Sequence, residues 1–261
     1  MLDILVSIIR HGQTDCNARG VLQGQMETSL NAVGRQEAEK LGARLKNQYF
    51  SHLYSSNLER AFETARIVVK DNLATPNKEA FLLDARLRER GFGIFEGKPK
   101  SELADSHAAA AEGKDYPGRR HYVPPNGESM AQVYCRAREC LVEICLTVLR
   151  DRASSVDEAN ADVSVLISTH GGVAIELFTF LVKELGCPPP DGTTKSQMIA
   201  IPGNTALSTF RLTLNPDLAD EELSRVVSRP KDLITECVCL TIHDRSHCDD
   251  AQANGGRMTI Y

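Results

Sequence analysis

Two histidines share an unusual setting. His11 lies in Arg10-His11-Gly12, at the end of an apolar run from Leu2 to Ile9, and His170 lies in Thr169-His170-Gly171-Gly172, at the end of Val163 to Thr169. An imidazole at the carboxyl end of a strand sits where open α/β sheets place their active sites. A glycine after it lets the backbone turn and approach a ligand. Arg10 adds a bidentate phosphate ligand beside a possible covalent nucleophile. Arg60 follows Ser55-Ser56 in the first turn of an expected helix, so its charge reinforces the positive end of the helix dipole. Glu89 lies within the arginine-rich stretch LRERGFG, where a carboxyl can be held near bound phosphate. A neutral imidazole to attack, cations to hold three equatorial oxygens and an acid for the leaving oxygen are the parts that transfer through a phosphohistidine requires.

The elements that must carry these residues alternate between strand-like and helix-like patterns, which predicts a layered α/β fold. Strands are expected at Leu2 to Ile9, His52 to Ser55, Phe81 to Leu83, Val163 to Thr169, Ala206 to Leu212 and Cys237 to Ile242. Helices are expected from Ala32 to Asn47, from Ser56 to Lys70, from Ser101 through the alanines near 110, from Ser129 to Arg150, and from Gly171 to Gly186. Ser56 and Glu59 have the spacing of a capping box. The Pro- and Gly-rich stretch 113–128 reads as an excursion from the core, Asp151 to Asp162 as a polar connection, and the segment beyond His243 as a polar, mobile tail. No repeat or linker divides the chain, so a single domain over 1–261 is expected, with an excursion or lid near 99–128.

Bulk composition excludes several classes. At 42% hydrophobic and 25% charged residues over 261 positions, the chain has enough apolar content for a full core. A net charge of −5 without a long basic run argues against nucleic-acid or anionic-membrane partners. An anionic small substrate would be held by local arginines. No stretch has the length of a membrane span, and the opening apolar run carries Asp3 and no basic leader, so a cytoplasmic location is expected. The eight scattered cysteines form no CxxC pair and read as small buried hydrophobes in a reducing compartment. His52, His107, His121, His243 and His247 have no motif context and read as structural or solvated.

RHGQTDCN (10–17), QGQ (23–25), SSNLERAFETA (55–65), LRERGFGIFEGK (87–98), PNGES (125–129) and STHGG (168–172) together resemble the histidine phosphatase superfamily, phosphoglycerate-mutase-like branch. The stretch LRERGFGIFEGK with the final CVCLTIHD run is most similar to the TIGAR-type fructose-2,6-bisphosphatases. The resemblance implies a three-layer sandwich with a mostly parallel central sheet flanked by helices. It implies His11 as the nucleophile, with Arg10, Arg60 and His170 binding the transferring group. Glu89 would protonate the leaving oxygen and then act as base on water. Asn17, Gln23, Gly24 and Gly171 would line the phosphate pocket, with no metal or other cofactor required. Cations around His11 should keep it neutral and nucleophilic.

The substrate implied is a small phosphorylated anion, fructose 2,6-bisphosphate first, whose hydrolysis at the 2-phosphate would lower glycolytic flux. Arg88, Arg90, Lys98, Arg119 and Arg120 are candidates for a second anionic group, the last two on a possible lid. Many relatives carry arginine five residues after the second histidine, where this chain has Ile175. Mutases of the family usually place an aromatic before the first-motif asparagine and a GW pair in the second motif. Cys16 and Gly24-Gln25 stand there, which favours a phosphatase over a mutase or bisphosphoglycerate phosphatase. A phosphoprotein phosphatase is a lesser variant, and a non-catalytic regulatory protein is disfavoured because every catalytic side chain is present.

Overall fold

The computed structural model describes residues 1–113, 118–154 and 163–248. Its elements run β1 (Leu2–Arg10), α1 (Asp15–Ala18), α2 (Ala32–Arg44), β2 (His52–Ser55), α3 (Glu59–Lys70) and β3 (Phe81–Leu83). They continue with α4 (Lys100–Ala111), α5 (Met130–Ser154), β4 (Val163–Thr169), α6 (Gly171–Thr179), β5 (Leu207–Leu214) and β6 (Ile234–Asp244). The sheet order is β3-β2-β4-β1-β5-β6. The first four strands are parallel to their neighbours, while β5 runs antiparallel to both β1 and β6, so the sheet is mixed.

Side-chain alternation explains why helices cover both faces. Ile4, Val6 and Ile8 of β1 join Val163, Val165 and Ile167 of β4 under α5 and α6. Ile9 and Leu166 point the other way, into a second cluster with Ala38 and Leu41 of α2 and Val68 and Val69 of α3. All seven residues of β4 are buried, as its β-branched run requires. Along α5, Val133, Ala137, Cys140, Leu141, Ile144, Cys145 and Val148 recur at helical spacing on the buried face. Its start is closed by Ser129, whose hydroxyl accepts from the Gln132 amide while the Gln132 side chain accepts from the Ser129 amide.

The local departures from expectation have physical causes. α3 begins at Glu59 without a side-chain cap, because the Ser56 hydroxyl is engaged elsewhere and the N-cap position holds the buried Leu58. A carboxylate distant in sequence, Glu27, accepts the Glu59 amide instead, at 3.3 Å. α6 runs on as a π-turn over Phe180–Glu184 before Gly186 ends it with φ +83°. β6 extends beyond His243 to Asp244, and Arg44 pairs with Asp244 while Arg245 pairs with Glu37 on α2, so 244–248 are tethered. Of the cysteines, Cys140, Cys145, Cys187, Cys237 and Cys239 are buried, and Cys135 is exposed. Residues 114–117 of the excursion, 155–162 of the polar connection and 249–261 of the tail lie outside the described residues. Among the described residues, no helix is long and apolar enough to cross a membrane.

Candidate active site

Strand register brings the two histidines together. β1 and β4 are parallel neighbours with Arg10 opposite Thr169, so the next residue of each strand is a histidine. The His11 amide donates to the Thr169 carbonyl at 2.9 Å, and the two imidazole centroids lie 5.1 Å apart. β2 ends on the other side of β4 with Ser55 opposite Ser168, which delivers Ser56 to His170: its Oγ lies 2.8 Å from Nε2. The site therefore lies beyond the carboxyl ends of three adjacent parallel strands.

Both rings are buried and held neutral. His11 lies well below the ordinary imidazole value, first through burial and then through the charges of Arg10 and Arg60. His170 is likewise pushed well down by burial, Arg60, the neighbouring His11, Arg10 and Arg136. The Gly12 carbonyl lies 2.7 Å from His11 Nδ1. A carbonyl can only accept, so Nδ1 carries the proton and Nε2 keeps its lone pair. Around His170, the Ser56 hydroxyl accepts the Leu58 amide at 3.3 Å and can give its own proton to Nε2. That leaves Nδ1, buried and without a partner, as a donor.

Two arginines bring charge to the site. Arg60 is fully buried; it donates to the Gly24 carbonyl at 2.7 Å, the Met26 carbonyl at 2.8 Å and Thr28 Oγ1 at 3.2 Å. Arg10 donates to the Pro202 carbonyl at 2.8 Å. Nε of each is buried without a protein partner, and with His170 Nδ1 these are donors suited to an oxyanion. Gly171 lies against Arg10: a Cβ there would stand 3.5 Å from its Nε.

Glu89 seats its carboxylate on the amino end of α6. Gly172 N–H donates to both oxygens at 3.1 Å, and the Arg90 amide donates to Oε1 at 2.8 Å. Its charge raises both Arg10 and Arg60 against the depression caused by their burial.

The loop residues take more specific places than their types indicate. Gln23 is buried, its Oε1 accepting from Thr14 Oγ1 at 3.0 Å and Thr28 Oγ1 at 2.6 Å. Asn17 closes a capping box with Thr14 and meets Asn204 Nδ2 at 3.3 Å. Gly24 adopts φ +53°, and a Cβ there would stand 2.0 Å from Glu96 Oε1.

The candidate cations for a second anionic group are largely engaged elsewhere. Arg88 donates to Asn57 Oδ1 at 2.7 Å. Arg90 donates to the Glu128 carbonyl at 2.7 Å and the Tyr122 carbonyl at 3.3 Å. Lys98 is exposed and faces Glu102 at 3.4 Å. Arg120 grips the buried Glu176 with 2.7 and 3.3 Å contacts and covers the Tyr134 ring. Arg119 is exposed, near enough to His107 to lower it. Lys100, which the sequence reading passed over, feels both Arg10 and Glu89 and is lowered by partial burial. Its place two residues after Lys98, at the start of α4, was the available signal. Ser56 was read only as a cap, and nothing near Asn204 marked it as the donor to the His11 carbonyl at 2.9 Å. Among the described residues, no three His, Cys, Asp or Glu side chains are grouped to hold a metal.

A family model described as histidine phosphatase superfamily (branch 1) matches residues 6–212, the stretch that holds His11, Arg60, Glu89 and His170. The chain belongs to the histidine phosphatase superfamily. Among members of the superfamily, fructose-2,6-bisphosphatase TIGAR B of Danio rerio is 33% identical over 234 residues, covering 82% of this chain and 89% of its own. Phosphoglycerate mutase-like protein 4 of Arabidopsis thaliana is 33% identical over 174 residues, covering 66% and 69%. The solved phosphoglycerate mutase from Bacillus anthracis superposes with a TM-score of 0.69 at 21% identity, over 94% and 95% of the chains, so the two share a fold.

Proposed function

We propose that this histidine phosphatase hydrolyses small phosphate monoesters through a phosphohistidine on His11. The observation that carries the reading is the pair of buried imidazoles 5.1 Å apart, both under the charges of Arg10 and Arg60. His11 Nε2 attacks phosphorus as the ester P–O bond breaks, and Glu89, entering this step as the carboxylic acid, gives its proton to the departing oxygen and is left as the carboxylate. Arg10 and Arg60 hold the equatorial oxygens through charge and hydrogen bonds, and the neutral His170 through its Nδ1–H. Water then attacks phosphorus as the P–Nε2 bond breaks, Glu89 takes a proton from the water, and His11 and inorganic phosphate are set free. The balance is one ester and one water giving one alcohol and one phosphate.

Fructose 2,6-bisphosphate is the first substrate to test, supported by the name of the Danio rerio relative and by Lys100, a further cation close enough to feel Arg10 and Glu89. The second reading, phosphoglycerate mutase or bisphosphoglycerate phosphatase, is supported by the Arabidopsis thaliana relative. A phosphate-release panel with fructose 2,6-bisphosphate, fructose 1,6-bisphosphate, 2,3-bisphosphoglycerate and 3-phosphoglycerate separates them. Isomerisation of 3-phosphoglycerate faster than phosphate release would establish the mutase. His11→Ala should lower turnover at least about a thousandfold and abolish an acid-labile, base-stable phosphoenzyme. Turnover that survives this substitution rules out the phosphohistidine.

A further inference from the structure

Arg136 lies on α5, and its guanidinium is fully used. Nε donates to Glu128 Oε1 at 3.0 Å, Nη1 to the carbonyls of Arg86 and Arg88 at 2.6 Å each, and Nη2 to the Glu89 carbonyl at 3.1 Å and Glu128 Oε2 at 3.0 Å. Those contacts match all five N–H donors that a guanidinium possesses. Glu128 Oε2 also accepts the Gly91 amide at 2.8 Å and Gln25 Nε2 at 3.3 Å. Gln25 Nε2 in turn lies 3.3 Å from the Glu89 carbonyl. The backbone around Glu89 is thus fastened at three carbonyls up to and including its own and at the amide two residues later. One ion pair joins the Glu89 loop to the phosphate loop and to the PNGES stretch.

We infer that Arg136, paired with Glu128, is the positioning residue for Glu89: it fixes the backbone of 86–91 so that the carboxyl end stays on the Gly172 amide. The inference rests on the reading of Glu89 as the proton donor. Only a planar fork satisfies three carbonyls and both carboxylate oxygens at once, so lysine cannot substitute. The positive charge of Arg136 also reaches His170, adding to the field that keeps that ring neutral. Arg136 touches neither the reacting phosphoryl group nor the leaving oxygen; it acts through Glu89.

The test uses the dependence on leaving group. A simple alkyl phosphate needs a proton on its departing oxygen, whereas p-nitrophenyl phosphate leaves readily without one. Arg136→Lys should lower kcat/KM for the alkyl ester about 10- to 100-fold and for p-nitrophenyl phosphate less than about threefold. Added to Glu89→Gln, it should cause no further loss on the alkyl ester. Retained p-nitrophenyl phosphate turnover and an unchanged thermal melt serve as the fold controls. Should Arg136→Lys fail to fold, Glu128→Gln provides the second arm; it keeps an acceptor for Gly91 but removes the charge, and should show the same selectivity on a smaller scale. Equal losses on both esters, or none on either, would mean a purely structural ion pair and overturn the inference. If Glu89→Gln itself shows no leaving-group selectivity, the reading of Glu89 fails and this inference falls with it.

Discussion

Gly172→Ala should separate catalysis from stability. Gly172 is the second residue of α6, and an added Cβ would stand 2.4 Å from Glu89 Oε1, 3.3 Å from its Cδ and 3.7 Å from Arg90 Cβ. Ordinary contact begins near 3.4 Å, so the carboxylate must retreat by about 1 Å, worked from that 2.4 Å approach. The obstructing atoms belong to a side-chain tip, so the backbone stays in place. Alanine favours the helix by about 1 kcal/mol over glycine. Loss of the carboxylate from the helix amino end costs about 0.3 to 1 kcal/mol, so net stability should change by less than about 1 kcal/mol. A displacement of about 1 Å at a reacting group costs on the order of a hundredfold in rate. We therefore expect kcat/KM for an alkyl phosphate to fall about 30- to 100-fold with an unchanged urea midpoint, and p-nitrophenyl phosphate to be affected far less. Alkyl ester turnover within threefold of the parent protein would refute either the seat of Glu89 or its role as acid.

Two other perturbations follow from the charges. Arg120→Ala strands the Glu176 carboxylate, whose side chain is only 2% exposed, and should cost about 1 to 3 kcal/mol in a denaturation measured at pH 7. Burial already raises Glu176, so its protonation should shrink that penalty as pH falls; a penalty that grew towards pH 5 would contradict this. His11 and His170 are depressed in the fold, as are His107 and His243, so below the ordinary imidazole value the unfolded chain binds protons that the folded one refuses. Stability is complete above about pH 6.5 and should decline below it by up to about 1.4 kcal/mol per pH unit for each histidine. Urea midpoints at pH 7.5, 6.5 and 5.5 check the slope, and His170→Asn should flatten it; stability that rose on acidification would exclude buried neutral histidines.

The sequence by itself determined the strands that lead into His11 and His170, the helix to Lys70 that carries Arg60, though not its start, and the α/β class, because hydrophobic period and strand-end motifs are local properties. It also supplied the candidates for phosphoryl transfer. Only the tertiary structure decided which of them meet. The pairing of β1 with β4, in register at Arg10 and Thr169, sets the two rings side by side. A run of arginines in sequence reads as equivalent charges, yet Arg86 pairs with Asp84, Arg90 holds the Glu128 carbonyl and Arg120 holds Glu176. Asp84 is a local partner, but the acceptors of Arg90 and Arg120 lie 38 and 56 positions away, on elements that only the fold brings near. Ser56 shows the same limit: its spacing to Glu59 suits a helix cap, but the hydroxyl meets His170, which lies 114 positions later. Arg136 carried no motif at all, because its importance depends on three carbonyls converging on one point of α5.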